Sequence, residues 1–297
     1  MDSHVTMSAD SITIRPLATV EDFQHAEEVQ RGAWNLSGDR SIVPLNIMLA
    51  IQKYGGLAAG AFDAQNQMLG FVLGFLGFTG SGRIKHCSHM LGVTPDARQH
   101  NIGYRLKVFQ RHYVLKQDLD LITWTFDPLE GINARLNIGK LGCITRKYHY
   151  NFYGEWSDGI NRGLATDRFE VEWWIRSERV ETRLTGEGTE YHTIEQTLDQ
   201  GAHKALIVNL DHRGLPMPQD IPYETDGRTL LVEIPVSFQA VKAESLELAK
   251  LWRHKTAVLF SSLFGQGYVV LDFVRDTDGR CSAYVLAPLP SQLPGKE

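Results

Sequence analysis

Cysteine is scarce in this 297-residue chain. There are three, Cys87, Cys143 and Cys281, widely spaced and odd in number. Such a set builds neither a disulfide framework nor a cysteine-based metal cluster. It suits a reducing compartment, so a cytoplasmic location is expected. Long apolar runs are missing too. The longest, Leu69 to Phe78, is too short to span a bilayer and carries glycines, so no membrane partner is expected. Residues 1–10 are polar and lack the apolar centre of a secretory leader, and are expected to be disordered. Positive charge is in deficit: 30 Lys and Arg against 35 Asp and Glu give a formal net charge of −5. Phosphate backbones select basic surfaces, so no nucleic-acid partner is expected. Ser88 lacks the glycine elbow of a serine hydrolase. His86, His89 and His112 with Cys87 are not spaced like a zinc site, so no metal is expected.

What is present is an ordinary globular composition, 43% hydrophobic and 22% charged, enough for a real core. The length allows one large domain or two modest ones. Strands are expected at 11–17, 57–62, 68–78, 85–93, 121–126 and 144–152, where apolar runs or alternation are bounded by turn residues. Helices are expected at 22–34, 44–54, from Gly103 to about Gln117, and at 131–141. The order is strand, two helices, three strands, helix, strand, helix, strand.

The stretch from Leu91 to Gln110 organises this half. Leu91 and Val93 end a strand, Pro95 and Asp96 turn the chain, and Leu106, Val108 and Phe109 begin an apolar helical face. A helix entered from a tight loop offers unpaired N–H groups and the positive end of its dipole, a ready anion site. Strand alternation places Cys87, His89, Leu91 and Val93 on one face and His86, Ser88 and Met90 on the other. Gly92 inside the strand fits a bulge or a close backbone approach.

Arg98-Gln99-His100-Asn101-Ile102-Gly103 resembles the Arg/Gln-x-x-Gly-x-Gly/Ala loop of the GNAT superfamily of acyl-CoA N-acyltransferases, and it follows a strand ending Leu-x-Val-x-Pro as in that family. Asn101 stands where glycine is usual; among non-glycine residues Asn best tolerates a positive φ. Leu69-Gly70-Phe71 and the segment Asn133 to Cys143 are similar to further family features, and the element order matches from about residue 11 to 154. Ile138 replaces a tyrosine that often protonates the leaving thiolate.

The resemblance implies a GNAT-type mixed sheet flanked by helices over 11–156, with a C-terminal α+β extension over 157–297, as in long bacterial members. It implies acyl-CoA as co-substrate, acetyl by default with succinyl open, and a small-molecule amine as acceptor. The pyrophosphate would meet the amides of Asn101, Ile102, Gly103, Tyr104 and Arg105, flanked by Arg98, Gln99 and His100. Leu91, Gly92 and Val93 would pair with the pantetheine arm, and Asn133 would reach it from the other side. His89 is the first candidate for the base, since imidazole titrates near neutrality, and Asp127 the second. Tyr150 is the candidate acid, with Tyr148 and Tyr153 beside it. Lys107 reads as a solvated helix position, Asn133 equally as a helix cap, and Trp173-Trp174 as core. A CoA-binding protein without turnover is the alternative function. Dimerisation is left open, with a homodimer among the options.

The second half is less legible. Strands are expected at 168–175, 204–210, 229–234, 269–274 and 281–286, a polar loop at 182–189, and helix from Ser237 to Phe264 with a break near Lys255. The sequence of helix, Gly265-Gln266-Gly267-Tyr268, strand, turn and strand admits a degenerate half of the same fold, or an extension completing the sheet.

Overall fold

The computed structural model describes residues 12–34, 42–154, 163–186 and 193–291, and for Gln99 the backbone only. The expected disordered segment 1–10, the domain border at 156/157 and the tail of the expected 182–189 loop lie outside the described residues. The chain divides into two compact units, 1–122 and 123–297.

The first unit is an antiparallel sheet of β1 (Thr13–Pro16), β2 (Leu57–Phe62), β3 (Met68–Phe78) and β4 (Ile84–Val93), in that order. The helix α1 (Val20–Trp34) and α2 (Leu45–Lys53) cover one face. They pack Phe23, Ala26, Val29 and Met48 on Ala58, Phe62, Phe71 and Leu73. On the other face α3 (Ile102–Leu115) packs Ile102 and Leu106 on Leu57, Ala59, Ala61 and Val72. β2 is buried throughout because both faces are covered, which explains its run of small apolar residues. Asp22 ties the start of α1 to β1: Arg15 donates to both its oxygens at 2.6 and 2.9 Å, and Ala18 N–H adds a third bond. The Arg15 hydrogen bond is the main reason the Asp22 carboxyl is held down at about 2.

One residue alters the expected pattern in β4. Leu73 pairs with Met90, but Gly74 pairs with Ser88, so His89 is left over as a β-bulge. A single extra residue reverses side-chain alternation beyond it. His86 and Ser88 therefore share the α3 face with Leu91 and Val93, and Met90 lies on the α1 side. The uninterrupted alternation expected from the sequence is corrected on this point. The bulge sits at His89 and not at Gly92, which pairs regularly with Phe71. Gly92 instead permits close approach: a Cβ there would meet Phe71, Ala33 and Trp34 at 3.0–3.2 Å.

The division between the units falls inside β5 (Leu121–Phe126). In the second unit the strand order is β5, β7 (Arg168–Trp174), β6 (Ile144–His149), β11 (Tyr268–Arg275), β12 (Cys281–Pro288), β10 (Leu230–Pro235), β8 (His203–Leu210) and β9 (Pro216–Asp220). β10 runs parallel to β8, while β7–β6, β6–β11, β11–β12, β12–β10 and β8–β9 are antiparallel, so the sheet is mixed. The short α4 (Gly131–Ala134) passes into a π-helical turn, Arg135–Lys140, where Leu141 N–H reaches back to Leu136 O at 2.9 Å. The remaining helices are α5 (Glu178–Thr185), α6 (Ile194–Asp199), α7 (Phe238–Glu244) and α8 (Leu246–Gly265).

Thr182–Thr185, expected as part of a loop, instead ends the helix α5, which the Ser177 side chain caps by accepting from Val180 N–H. The helical break expected near Lys255 falls at Ser245, which closes α7 and caps α8. The core under α8 is aromatic. Phe169, Phe260 and Tyr284 meet edge to face with centroids 4.7–5.4 Å apart, and the Tyr284 hydroxyl donates to Pro128 O at 2.7 Å.

Candidate functional site

β4 hands the chain to the loop in three steps. Thr94 N–H bonds Leu69 O at 2.9 Å, which holds the strand end on β3. Residues Pro95–His100 form a 3-10 turn, with Ala97 buried beneath it. Asn101 then takes φ 56° and ψ 22°, the left-handed conformation anticipated for it. This reverses the chain and starts α3. The first i to i−4 bond of the helix runs from Arg105 N–H to Asn101 O at 3.1 Å. The amides of Ile102 and Gly103 precede it, in the turn where helix N–H groups have no intrahelical acceptor. The Ile102 side chain is buried and roots the turn in the core.

Of the residues expected in this loop, Arg105 is corrected: its amide belongs to the helix ladder and its guanidinium donates to Ile12 O at 2.7 Å. Arg98 is exposed and donates to Ala33 O at 3.2 Å, at the end of α1. The Gln99 backbone lies in the 3-10 turn, and His100 and Tyr104 are half-buried. Leu91 and Val93 are half-buried and Gly92 is buried, all three paired with β3.

His89 projects from the bulge. Its side chain is exposed, with Phe75 at 5.8 Å between ring centroids. Crowding by protein atoms holds its pKa below the ordinary 6.5. Neutral imidazole is the state a proton acceptor needs.

Beneath the sheet, beside that bulge, lies a polar cluster the sequence did not reveal. Lys107 is only 3% exposed, correcting its expected solvated position. Its ammonium donates to Ser88 Oγ at 2.7 Å and to Gln110 Oε1 at 3.3 Å. The Gln110 amide nitrogen lies 3.1 Å from His86 Nε2, so that ring nitrogen accepts. The signal was the helical spacing: Lys107, Gln110 and Arg111 lie with Ile102, Leu106 and Val114 on the buried stripe of α3. Gly74 leaves room for this cluster. A Cβ there would stand 2.2 Å from His86 Nε2 and 2.9 Å from Cys87 O. Gly74→Ala is therefore expected to destabilise the protein by about 2 kcal/mol or more, read from urea denaturation.

Burial, and then the Lys107 charge, push the His86 pKa from the ordinary 6.5 down to about 3. The unfolded chain thus takes up a proton that the folded chain refuses between those values. Stability should be level above about pH 6.5 and fall as the pH drops towards 3, by at most about 1.4 kcal/mol per pH unit from this group. His86→Gln should flatten that part of the stability–pH curve.

The second unit holds the other expected residues. Asn133 is exposed inside α4, where Glu130 is the cap residue, so its capping role is corrected. Ile138 is fully buried in the π-helical turn. Tyr150 lies in the turn after β6, which ends at His149 and not at residue 152, and is 70% exposed. Tyr148 is half-buried and donates to Asp167 Oδ2 at 2.5 Å. Burial, followed by the Asp167 charge, drives its pKa far upward, away from useful acidity. The Tyr153 hydroxyl lies 3.4 Å from Thr125 Oγ1. Trp173 is core and donates to Leu141 O at 2.8 Å, while Trp174 donates to Glu172 at 3.1 Å. Arg179, which the sequence analysis did not single out, donates to Gly142 O and Leu271 O. Asp127 is no unencumbered base: Arg253 bonds both its oxygens at 2.7 and 2.6 Å, and Leu129 N–H bonds it at 2.9 Å. The clue was Arg253 on the buried face of α8, where a cation requires a carboxylate. Among the described residues no cluster of His, Cys, Asp and Glu could hold a metal ion. No described helix is long and apolar enough to cross a membrane.

No protein-family model matches the chain, and no curated protein matches it. Solved structures do. The ribosomal-protein-S18-alanine N-acetyltransferase of Escherichia coli is 15% identical, covering 56% of this chain and 95% of its own, with a TM-score of 0.43. Naa50 of Arabidopsis thaliana, solved with the bisubstrate analogue CoA-Ac-MVNAL, is 15% identical, covering 55% and 97%, with a TM-score of 0.41. An acetyltransferase of the GNAT family from Streptococcus pneumoniae is 14% identical, covering 54% and 98%, with a TM-score of 0.43.

Proposed function

We propose that the chain is an acyl-CoA-dependent N-acyltransferase acting on a small-molecule amine, with acetyl or succinyl as the group moved. The observation that carries this reading is the left-handed Asn101 between the 3-10 turn and α3, which leaves the Ile102 and Gly103 amides at a helix start beside β4. Phosphate groups suit such a start because the N–H groups and the helix dipole act together. In this reading the pantetheine arm runs along Leu91, Gly92 and Val93, Asn133 contributes to holding it, and an amide near Leu91 stabilises the oxyanion. The amine nitrogen attacks the thioester carbon, a tetrahedral intermediate forms, the C–S bond breaks, and the CoA thiolate departs. His89 takes the ammonium proton, and the thiolate is protonated by Tyr150 or by solvent. The fold reading keeps its proposed border at 156/157, with the C-terminal part as an extension or a degenerate half-unit.

The alternative, CoA binding without turnover, is favoured by one set of observations. Ile138 is core, Tyr148 is committed to Asp167, and Tyr150 stands out in solvent. Free-thiol release from acetyl-CoA and succinyl-CoA, with a pool of amino acids and polyamines, separates the two. Release that depends on an amine supports transfer. Thermal stabilisation by CoA with no release supports the alternative, and neither effect refutes both.

A further inference from the structure

The proposed base and the buried polar cluster meet at one point of β4. The ladder between β3 and β4 is fixed on both sides of the bulge, by Leu73 with Met90 and by Phe75 with Cys87. Between those pairs β3 supplies one residue, Gly74, and β4 supplies two, Ser88 and His89. Backbone pairing alone admits either of the two opposite Gly74, with the other left over.

The two choices are not equivalent. The place opposite Gly74 looks towards α3, since a Cβ on Gly74 would meet His86 Nε2 and Gln110 Nε2 at 2.2 and 2.9 Å. Ser88 takes that place and is 5% exposed. His89 is left over and exposed, with its ring beside Phe75. With the order exchanged, the imidazole would turn towards α3 and the serine hydroxyl would point away from it. Lys107 distinguishes the two arrangements. From α3 its ammonium donates to Ser88 Oγ at 2.7 Å. A hydrogen bond from a charged donor is about twice as strong as a neutral one, and a buried ammonium that lost this acceptor would be costlier to keep from water. Gln110 holds His86 on the same side, so the ladder before the bulge stays where it is.

We propose that Lys107 is a positioning residue: by gripping Ser88 from beneath the sheet it makes His89 the left-over member of the pair and keeps the imidazole out of the α3 layer. The inference rests on the acyl-transfer reading for the use made of His89, and on the β3–β4 ladder for its placement.

The test is NMR of the full chain carrying isotope-labelled histidine, with His89→Gln to identify the His89 signal among the 11 histidines. The unaltered chain should show one His89 environment. Lys107→Ala removes the grip and opens room for a ring beside Gln110, and should move at least half of the His89 signal to a second environment. Ser88→Ala should give the second environment too, while Ser88→Thr keeps a hydroxyl for Lys107 and should restore the single one. In amine-dependent thiol release, kcat should fall in proportion to the outward signal lost, with the Kd for CoA changed less than twofold. Should Lys107→Ala fail to fold, Ser88→Ala carries the test alone. One unmoved His89 environment in both variants overturns the proposal, as does a Ser88→Thr chain that behaves like Ser88→Ala. The spectra need no substrate, so an unaltered chain that releases no thiol counts against acyl transfer and not against this placement.

Discussion

Gly103→Glu should abolish CoA binding while leaving the fold at least as stable as before. Two effects of the one substitution point in opposite directions. Gly103 sits in the first turn of α3 with an ordinary negative φ, so a side chain meets no backbone strain there. Replacing helical glycine removes about 0.5–1 kcal/mol of unfavourable chain entropy, and a carboxylate near a helix start gains a few tenths more from the dipole. The same carboxylate would occupy the place proposed for the pyrophosphate and repel it. Binding should weaken at least about a hundredfold, equivalent to about 2.7 kcal/mol, and amine-dependent thiol release should fall with it. Calorimetry with CoA and a thermal melt on the same sample read both effects. CoA bound at full strength by the variant would place the phosphates elsewhere.

Asp127→Ala is the second large expectation, and it concerns stability. Asp127 and Arg253 are 7% and 4% exposed in their side chains, and their two hydrogen bonds are short. Removing the carboxylate leaves a guanidinium out of water. Arg168, 3.8 Å from Asp127, adds a second cation nearby. Breaking one side of such a pair costs about 3–5 kcal/mol. The double replacement Asp127→Leu with Arg253→Met should recover most of that, because no buried charge is then left over. Urea denaturation of the single and double variants gives both numbers. A loss below about 1 kcal/mol for Asp127→Ala would mean that water reaches the pair.

The first unit was readable because its strands announce themselves locally. Leu57–Phe62, Met68–Phe78 and Leu121–Phe126 are apolar runs closed by glycine, aspartate or proline, and the structure gives the same bounds. The loop was readable from the run Arg98 to Gly103 after a strand ending Leu-x-Val-x-Pro, and Asn101, the departure from glycine there, takes the left-handed conformation that Asn tolerates. What escaped depended on partners distant in sequence. Nothing near Lys107 says that Ser88, 19 residues earlier, will receive its ammonium, and nothing near Asp127 names Arg253. Some local signals were present and passed over. Thr193 and Gln196 form a reciprocal cap that starts α6, and Ser245 starts α8. Pro216–Asp220, with two prolines, does not look like a strand, yet it pairs with β8 at the end of the strand order. Of the catalytic candidates, His89 lies within the strand that leads into the loop, while Tyr150 owed its place to an expected strand that stops one residue short of it.

The bulge at His89 gives β4 one residue that the ladder does not use. Deleting His89 would join Ser88 to Met90 in a continuous ladder with Leu73–Met90 and Gly74–Ser88 still paired, so Ile84 to Ser88 would keep their faces. His86 and Ser88 would stay with Gln110 and Lys107, and the strand would lose only the imidazole that projects from it. A chain lacking His89 should therefore fold with the polar cluster in place and lose only what that imidazole does.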